Sequence, residues 1–291
     1  MPESLGVVLC HLIYNRLSTG FNRFRGGVFT HAYLQSKLLA AASQQSSNLR
    51  QELKAAGLGK GIIVRNVDRM RKLISRLQWK KSSSEWSSYV HQHSYSEDDE
   101  ESKREFVKRA VVGRSWEMVW DLGCNTGAYS RIAAENASYV VAMDGDSLAI
   151  ERLYRDLRSE GKRNILPLVI NLADPSPDLG WNGSERRALT SRTDVDLTLC
   201  LALVHHMVIS ANVPLAEFVD WLARLRSHVV IEFVTRDDPM VQRLLLNKED
   251  IYHDYQLDIF EREIGRRFET LDRQELSSGS RVLYFLGPPP E

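Results

Sequence analysis

The sequence is poor in cysteine and has no long apolar run. Its three cysteines, Cys10, Cys124 and Cys200, stand far apart among 291 residues, without the paired spacing of a disulfide framework or a zinc site. No apolar run approaches the roughly 20 residues that a membrane span requires. No other cluster of metal ligands stands out. These absences predict a cytoplasmic protein that has no membrane partner and no metal ion.

Acidic residues are scarce in the first 81 residues. This stretch holds 14 Lys or Arg and 3 Asp or Glu, a charge of +11, although the whole chain has 38 residues of each sign. Such asymmetry indicates either an anionic partner or a basic region that packs on an acidic one, and we favour the second. Residues 4–51 contain no acidic residue, which is also the composition of a mitochondrial presequence, a less favoured interpretation.

The N-terminal region has the apolar spacing of helices. This spacing recurs over residues 34–77, and the three glycines within 55–64 are expected to interrupt it. The polar, Ser-rich stretch 82–104 contains the acidic run 97–101, and such a composition is typical of a linker or a lid. We therefore predict a basic helical region at 1–81, a linker or lid at 82–104, and a catalytic domain at 105–291.

From Ser102 onward, short β-branched runs alternate with amphipathic helical segments. This alternation is typical of a parallel sheet that is covered by helices on both faces. The turn-forming cluster at 277–280 is too short to hold a crossover helix, so the last two runs should form an antiparallel hairpin. We predict an α/β fold with a doubly wound, seven-stranded, mostly parallel sheet, a C-terminal antiparallel hairpin and a helical N-terminal extension. The predicted strands are 118–122, 139–144, 165–170, 195–202, 228–234, 268–274 and 281–286.

The segment 119–130, VWDLGCNTGAYS, joins the first predicted strand to a helix. In doubly wound sheets, ligands bind at the carboxyl ends of the strands, where the strand order reverses. Gly123 permits a tight turn, Asn125 tolerates unusual backbone angles, and Gly127 permits a close approach at the helix start. Asp144 ends the next strand, where a carboxylate can accept hydrogen bonds from both hydroxyls of a ribose. The pattern predicts a site for a nucleoside-containing cofactor.

The glycine spacing distinguishes between such cofactors. A nicotinamide dinucleotide is typically bound by GxGxxG, with helix N-terminal amides facing its pyrophosphate. Here the glycines are spaced GxxxG, and the acidic residue Asp121 stands just before them. A carboxylate in this place repels phosphate and attracts a cation. S-adenosylmethionine carries a sulfonium and an amino group but no phosphate, so the charges favour this cofactor.

The segment DLGCNTG, followed by VVAMD, resembles motif I and the acidic second strand of class I S-adenosylmethionine-dependent methyltransferases. The predicted terminal hairpin is also similar to the sheet of that superfamily. The resemblance covers the region 105–291. It implies that Asp121, Gly123 and Gly127 lie around the methionine moiety and that Asp144 binds the ribose.

The third predicted strand is followed by two candidates for the adenine. The superfamily usually has a polar or acidic residue here, and in INLADPSP both Asn171 and Asp174 fit, with Asp174 slightly favoured. The longer patterns LADPSPDLGWNGSERR, LALVHHM and IEFV also resemble a bacterial subgroup that includes rhizobial host-specificity nodulation proteins. This narrower resemblance does not name a substrate.

Two adjacent histidines are candidates for a catalytic base. Methyl transfer from a sulfonium is an in-line displacement, in which the protein positions the acceptor and can remove its proton. His205 and His206 follow the fourth predicted strand, and histidine can serve as such a base. Adjacent helical residues diverge by about 100°, so one of the two should face the cleft. Packing or cofactor contact is the favoured alternative for these histidines.

Acidic residues near the fifth predicted strand form a second group of candidates. Glu232 interrupts the run VVIEFV, where a buried carboxylate is costly without a partner. It either faces the mouth of the active site as a catalytic group or pairs with a basic neighbour such as Arg236 or Arg281. The acid-rich loop that ends at Asp238 is interpreted as a solvated turn. Cys124 is interpreted as a small loop residue, because no paired base is apparent.

The sequence therefore predicts a methyltransferase that acts on a small-molecule or carbohydrate-type acceptor, with the helical N-terminal region capping the acceptor site. An RNA or protein methyltransferase is the alternative suggested by the basic N-terminal region. Nucleic acid is not favoured as a partner, because no RNA-binding module is recognisable. A third hypothesis is a regulatory protein that binds the cofactor without turnover. The sequence leaves the oligomeric state open.

Overall fold

The computed structural model describes residues 60–76, 96–246, 248–249 and 251–288. The chain divides into two compact units, Met1–Lys80 and Lys81–Glu291. Predictions for residues 1–59 and 77–95, including the presequence-like composition and most of the linker or lid, lie outside the described residues.

In the first unit the structure describes helix α1, Lys60–Ser75. Asp68 forms ion pairs with both Arg71 and Lys72, each at 2.9 Å, on the exposed surface of this helix. The helix includes Gly61, although the sequence analysis placed that glycine in a helix-breaking segment. A glycine is tolerated there because the first amides of a helix have no intrahelical partner.

The second unit contains a seven-stranded sheet with the strand order β3-β2-β1-β4-β5-β7-β6. Strands β1 to β5 pair in parallel, whereas β7 is antiparallel to both β5 and β6. The predicted doubly wound sheet and its C-terminal hairpin are confirmed. The strands are β1 Trp116–Leu122, β2 Ala137–Asp144, β3 Ile165–Val169, β4 Leu197–Cys200, β5 His228–Val234, β6 Glu269–Glu275 and β7 Arg281–Gly287.

Helices connect most of the strands and cover both faces of the sheet. A π-helical turn, His206–Ser210, follows β4, and turns of this kind are frequent at functional sites. Among the helices in the described part of the chain, none has the length and apolar character needed to cross a membrane. The helices of this unit are α2 Glu97–Val111, α3 Ala128–Ala133, α4 Ser147–Glu160, α5 Leu215–Arg224, α6 Pro239–Leu245 and α7 Leu257–Gly265.

Two apolar clusters lie on the two sides of the sheet. One joins α2 and α4 to the sheet through residues such as Phe106 and Leu153. The other joins the π-helical turn, α5 and α7 to the sheet through residues such as Phe218 and Phe260. Burial of apolar side chains on both faces is what a doubly wound sheet requires.

Helix α2 begins five residues before Ser102, where the sequence analysis placed the change of pattern. The acidic run 97–101 forms its first turn, and Ser96 caps it by accepting a hydrogen bond from the Asp99 amide at 3.1 Å. Carboxylates stabilise the first turn of a helix because they face its positive dipole end. The run therefore belongs to a helix that continues to Val111, and residues 96–104 are the part of the predicted linker or lid that the structure describes.

Strand β1 lies at the point where the strand order reverses. The chain moves from β1 to β2 and β3 on one side, then returns to β4 and β5 on the other. Loops at the carboxyl ends of β1 and β4 therefore diverge and leave a crevice between them, which is where ligands bind in sheets of this type.

Candidate active site

Three residues of the loop between β1 and α3 have left-handed backbone angles. Gly123, Asn125 and Gly127 have φ values of 74°, 48° and 80°. The amides of Gly123 and Cys124 both donate to the Met143 carbonyl at the end of β2, at 2.8 and 3.0 Å. These two hydrogen bonds fix the loop against the second strand.

Gly127, which caps the helix after the loop, is packed against α4. It is buried and does not line the cavity described below. A Cβ atom at this position would lie 2.6 Å from Leu153 Cδ1, a side chain of α4. The close approach that the structure describes at the helix start is to a side chain of a neighbouring helix.

Replacement of Gly127 by alanine tests this packing. We expect Gly127→Ala to lower the free energy of unfolding by about 1–3 kcal/mol, from left-handed backbone strain and the clash with Leu153. Gly161→Ala is the matched control, because Gly161 has φ 71° and no atom within 4 Å of the added Cβ. Urea titrations of both variants would separate strain from clash, and equal losses would contradict a role for Leu153.

Asp144 ends β2 and is held by two backbone amides. Its Oδ1 accepts from the Asp146 amide at 2.7 Å, and its Oδ2 accepts from the Asn125 amide at 2.8 Å. Each carboxylate oxygen has a further lone pair, so the group can still accept hydrogen bonds from a ligand. Burial raises the pKa of Asp144, while the two amides favour its charged form. The carboxylate is thus positioned before any ligand arrives.

Asp121 is almost fully buried near the end of β1. Its relative exposure is 2%, and the Ser130 hydroxyl of α3 donates a hydrogen bond to Oδ2. Burial raises the pKa of Asp121 to about 6, and the nearby charge of Asp144 acts in the same direction. A buried carboxylate of this kind is stabilised by a cation that enters the site.

Both carboxylates line a cavity of about 480 Å³ at the carboxyl edge of the sheet, a volume typical of small-molecule sites. The loops after four parallel strands contribute to it in their spatial order. From the β3 side to the β4 side they are 170–173, 144–146, 123–126 and 201–203. The cavity is completed by Glu100, Lys103, Asp121, Ala128, Tyr129, Ala149, His206, Met207, Ser210 and Ala211.

The candidates for the adenine lie at the β3 side. Asn171 lines the cavity, and its side-chain oxygen accepts from the Ala173 amide at 3.1 Å. Asp174 is exposed in the turn beyond it and does not line the cavity. The geometry thus favours Asn171, contrary to the slight preference expressed from the sequence.

The two histidines have different environments. His206 lines the cavity, whereas His205 does not and is only 1% exposed. Burial lowers the pKa of His206 to about 4, and burial also lowers the pKa of His205 well below its usual value. Neither ring nitrogen of His205 has a hydrogen-bond partner within the described ranges. One of the two histidines was expected to face the cleft. His206 has this position, and His205 packs behind it.

Glu232 forms ion pairs in the interior and does not line the cavity. Its Oε1 lies 3.0 Å from Arg281 Nη1, and its Oε2 lies 2.6 Å from Lys103 Nζ. Arg281 Nε also contacts Asp238 Oδ2 at 2.9 Å. Pairing with Arg281 was one of the two alternatives for Glu232. Asp238 is fully buried and caps α6, so its interpretation as part of a solvated turn was wrong.

Sequence reasoning missed the cavity residues Glu100 and Lys103 of α2 and Tyr129 of α3. The first two stand in a charge run that resembles a solvated linker. A signal was nevertheless present, because Lys103 precedes Phe106 and Val107 by three and four residues. That spacing places the lysine on the buried face of the helix.

The residues at this cavity fit S-adenosylmethionine and not a dinucleotide. The amides of Gly123 and Cys124 donate to the Met143 carbonyl. The Asn125 amide donates to the Asp144 carboxylate, and the Gly127 amide donates to the Cys124 carbonyl. These amides are already used within the protein, so they do not form a cradle for phosphate. The buried Asp121 suits the cationic methionine end, and Asp144 suits the ribose.

The chain has the class I methyltransferase fold. This assignment rests on the sheet, with its terminal antiparallel hairpin, and on the glycine loop that precedes the acidic end of β2. The resemblance recognised in the sequence is thereby confirmed at the level of the fold.

Comparison with known proteins gives relatives of two kinds, and no family model matches the chain. Over 263 residues, 90% of its length, the chain is 31% identical to nodulation protein NoeA of Rhizobium meliloti (strain 1021), and it spans 55% of that protein. The N-methyltransferase NodS from Bradyrhizobium japonicum WM9, solved with S-adenosyl-L-homocysteine, is 13% identical with a TM-score of 0.47, over 66% of this chain and 88% of NodS. The bifunctional kinase-methyltransferase WbdD is 17% identical with a TM-score of 0.44, over 75% of this chain and 45% of WbdD.

Proposed function

We propose that this chain is an S-adenosylmethionine-dependent methyltransferase that acts on a small-molecule or carbohydrate-type acceptor. The observation that carries the proposal is the pair Asp121 and Asp144 in one cavity, beside a glycine loop whose amides are already bonded within the protein. In this assignment Asp121 and Gly123 contact the methionine moiety. Asp144 binds the ribose, and Asn171 lies near the adenine.

At such a site the main task of the protein is to position the acceptor relative to the methyl group of the cofactor. S-adenosylmethionine, when bound, supplies an electrophilic methyl group on its sulfonium. The segment after β4 and the π-helical turn, with His206 and Met207, then form the wall that the acceptor meets. Because burial keeps His206 neutral at pH 7, its ring can accept a hydrogen bond from an acceptor hydroxyl or amine and hold it in line.

The charges of the cavity support a small acceptor over a nucleic acid. Four acidic residues line it, Glu100, Asp121, Asp144 and Asp146, against one lysine among the described residues. Such a lining repels the phosphates of a polyanion, whereas nucleic-acid sites are basic. An RNA or protein methyltransferase that uses the basic N-terminal region is the second candidate.

Calorimetric titration of the folded chain with S-adenosylmethionine and with its demethylated product is the direct test. We expect both to bind at one site, and labelled methyl donor to be consumed with small-molecule or carbohydrate acceptors. Absence of binding in a folded sample would refute the proposal. Binding without methyl consumption across broad acceptor pools would instead support the regulatory hypothesis. Transfer to RNA that weakens steeply with salt would support the second candidate.

The raised pKa of Asp121 predicts that the binding of S-adenosylmethionine weakens as the pH falls. Because burial raises this pKa to about 6, the carboxyl becomes protonated, and loses the charge that attracts a cation, as the pH falls below that value. We expect the association constant for S-adenosylmethionine to be flat from pH 7.5 to 6.5 and to fall about tenfold per unit below about pH 6. In Asp121→Asn, binding should be weaker and lose this dependence. An unchanged pH profile in that variant would assign the titration to another group.

A further inference from the structure

A hairpin turn between β3 and β4 presents an exposed tryptophan. Trp181 is 83% exposed, more than any other large apolar side chain in the described part of the chain. It does not line the cavity. The indole is among the side chains that gain most from burial, and aromatic side chains are enriched at binding surfaces. An exposed tryptophan in this place is therefore a candidate for contact with a ligand.

The hairpin that carries Trp181 is held by its own hydrogen bonds. Leu179 and Arg186 exchange two backbone bonds, at 2.9 and 3.0 Å. The Trp181 carbonyl accepts from the amide and the hydroxyl of Ser184, at 3.2 and 2.8 Å. The backbone at Trp181 is thus ordered before any ligand arrives. An aromatic side chain on such a backbone has only two torsions to order, so its binding costs little conformational entropy.

The hairpin belongs to the segment that forms the β3 side of the cavity. Residues 170–173 of this segment line the cavity, and the chain from Ala173 to Trp181 spans at most about 29 Å. After the hairpin, the Leu189 amide donates to the Ser176 carbonyl at 3.1 Å, and the Leu189 side chain is buried in the same apolar cluster as the π-helical turn. A ligand with several rings can therefore reach from the cavity to Trp181.

The polar side chains of the hairpin favour a saccharide as this ligand. Asn182, Glu185 and Arg186 are exposed, and their side chains make no hydrogen bond to a described residue. They supply both donors and acceptors on the same turn as one flat apolar ring. A pyranose uses this combination, because the C–H groups of one face stack on an aromatic ring while its hydroxyls form hydrogen bonds at the edge.

Other classes of partner fit the hairpin less well. Residues 178–187 contain two acidic and two basic residues, so the hairpin has no net charge. Aromatic platforms for single-stranded nucleic acid lie in basic grooves, and segments that bind a membrane surface are rich in basic and apolar residues. A stable protein interface needs about 800 Å² on each partner, whereas the hairpin offers one aromatic ring among polar side chains.

We propose that Trp181 stacks on a sugar ring of the acceptor, outside the cavity in which the methyl group is transferred. This assignment rests on the proposed function and narrows its acceptor to a saccharide of more than one ring. The ring that receives the methyl group lies beside His206, and a further ring lies at Trp181. Trp181 therefore determines specificity and takes no part in the transfer itself.

The test compares saccharides of different length on the full chain. Binding of cellotetraose, maltotetraose and chitotetraose, and of their monosaccharides, is measured by calorimetry in the presence of the demethylated product. We expect at least one tetramer to bind more tightly than its monosaccharide. In Trp181→Ala this tetramer should lose affinity by about tenfold or more, as for the loss of one stacked ring, and with it the advantage over the monosaccharide. Trp181→Phe should keep part of the affinity.

The control variant is Tyr154→Ala, which removes another exposed aromatic side chain, on α4, and should leave the affinity for the tetramer unchanged. Trp181→Ala should bind S-adenosylmethionine within about twofold of the wild type, because Trp181 does not line the cavity.

Three results would overturn the assignment. They are the absence of binding by every tetramer, a tetramer affinity that persists in Trp181→Ala, and binding of a single-stranded oligonucleotide at Trp181 instead. Each of them leaves cofactor binding, and with it the proposed methyltransferase, standing. If S-adenosylmethionine does not bind the folded wild type, the proposed function fails, whatever the tetramers do.

Discussion

Asp144→Ala should weaken the binding of S-adenosylmethionine by about 100-fold or more. A hydrogen bond to a charged acceptor contributes about 1.5–3 kcal/mol, and the proposed ribose contact has two of them. The variant also removes the acceptor of the Asn125 amide, which holds the glycine loop at 2.8 Å. The expected loss of affinity therefore has two causes, the missing contacts to the ribose and a less ordered glycine loop. Calorimetry with the demethylated product measures it without an acceptor.

Asp144→Asn should bind almost as weakly as the alanine variant. Both carboxylate oxygens face a backbone N–H, so the amide NH₂ of an asparagine would have to oppose the donor of Asn125 or Asp146. Asp174→Ala is the control, since that acid is exposed beyond the cavity, and its affinity should equal that of the wild type. An affinity of Asp144→Ala within about threefold of the wild type would contradict the ribose assignment, because such a difference is below one hydrogen bond.

Glu232→Ala should lower the free energy of unfolding by about 3–5 kcal/mol. The substitution removes the carboxylate that Lys103 and Arg281 share, in an interior where all three side chains are at most 5% exposed. Both cations then lose the carboxylate that they share, and Arg281 keeps its contact with Asp238. Loss of one partner from a buried ion pair is far more costly than the pair itself is stabilising. Urea titration followed by tryptophan fluorescence measures the change.

A double variant shows whether uncompensated charge is the cause. In Lys103→Met with Glu232→Met the remaining pair Arg281 and Asp238 is neutral, so most of the lost stability should return. Glu151→Ala is the surface control, since Glu151 pairs with Arg155 on the solvent side of α4, and its loss should cost below about 1 kcal/mol. If the double variant is no more stable than Glu232→Ala, packing and not charge explains the loss.

The sheet could be predicted from the sequence because its signals are local. Apolar runs that are rich in β-branched residues define the buried strands β4 and β5 by themselves, and β5 has the predicted bounds, 228–234. The hairpin followed from the short turn cluster at 277–280. The glycine loop was equally local, since Gly123 and Asn125 have the positive φ angles that their residue types allow.

The contacts that complete the site could not be predicted because they join distant residues. Lys103 and Arg281 are brought together only by the pairing of β7 with β5, and nothing near either residue in the sequence indicates the other. The path of the turn after β3 determines that Asn171, and not Asp174, lines the cavity. Burial of His205 depended on packing behind the π-helical turn. Side-chain direction at such positions is set by tertiary packing, which local patterns do not determine.

The antiparallel strand β7 also determines when the site can form during folding. It is synthesised after the six other strands, yet it lies between β5 and β6, and its Arg281 pairs with Glu232, which in turn pairs with Lys103. Contacts of such large sequence separation form slowly, because a long loop must close before they contribute. A nascent chain can therefore assemble the glycine loop and the ribose carboxylate early. Its cavity acquires a fixed cation only when synthesis and folding of β7 are complete.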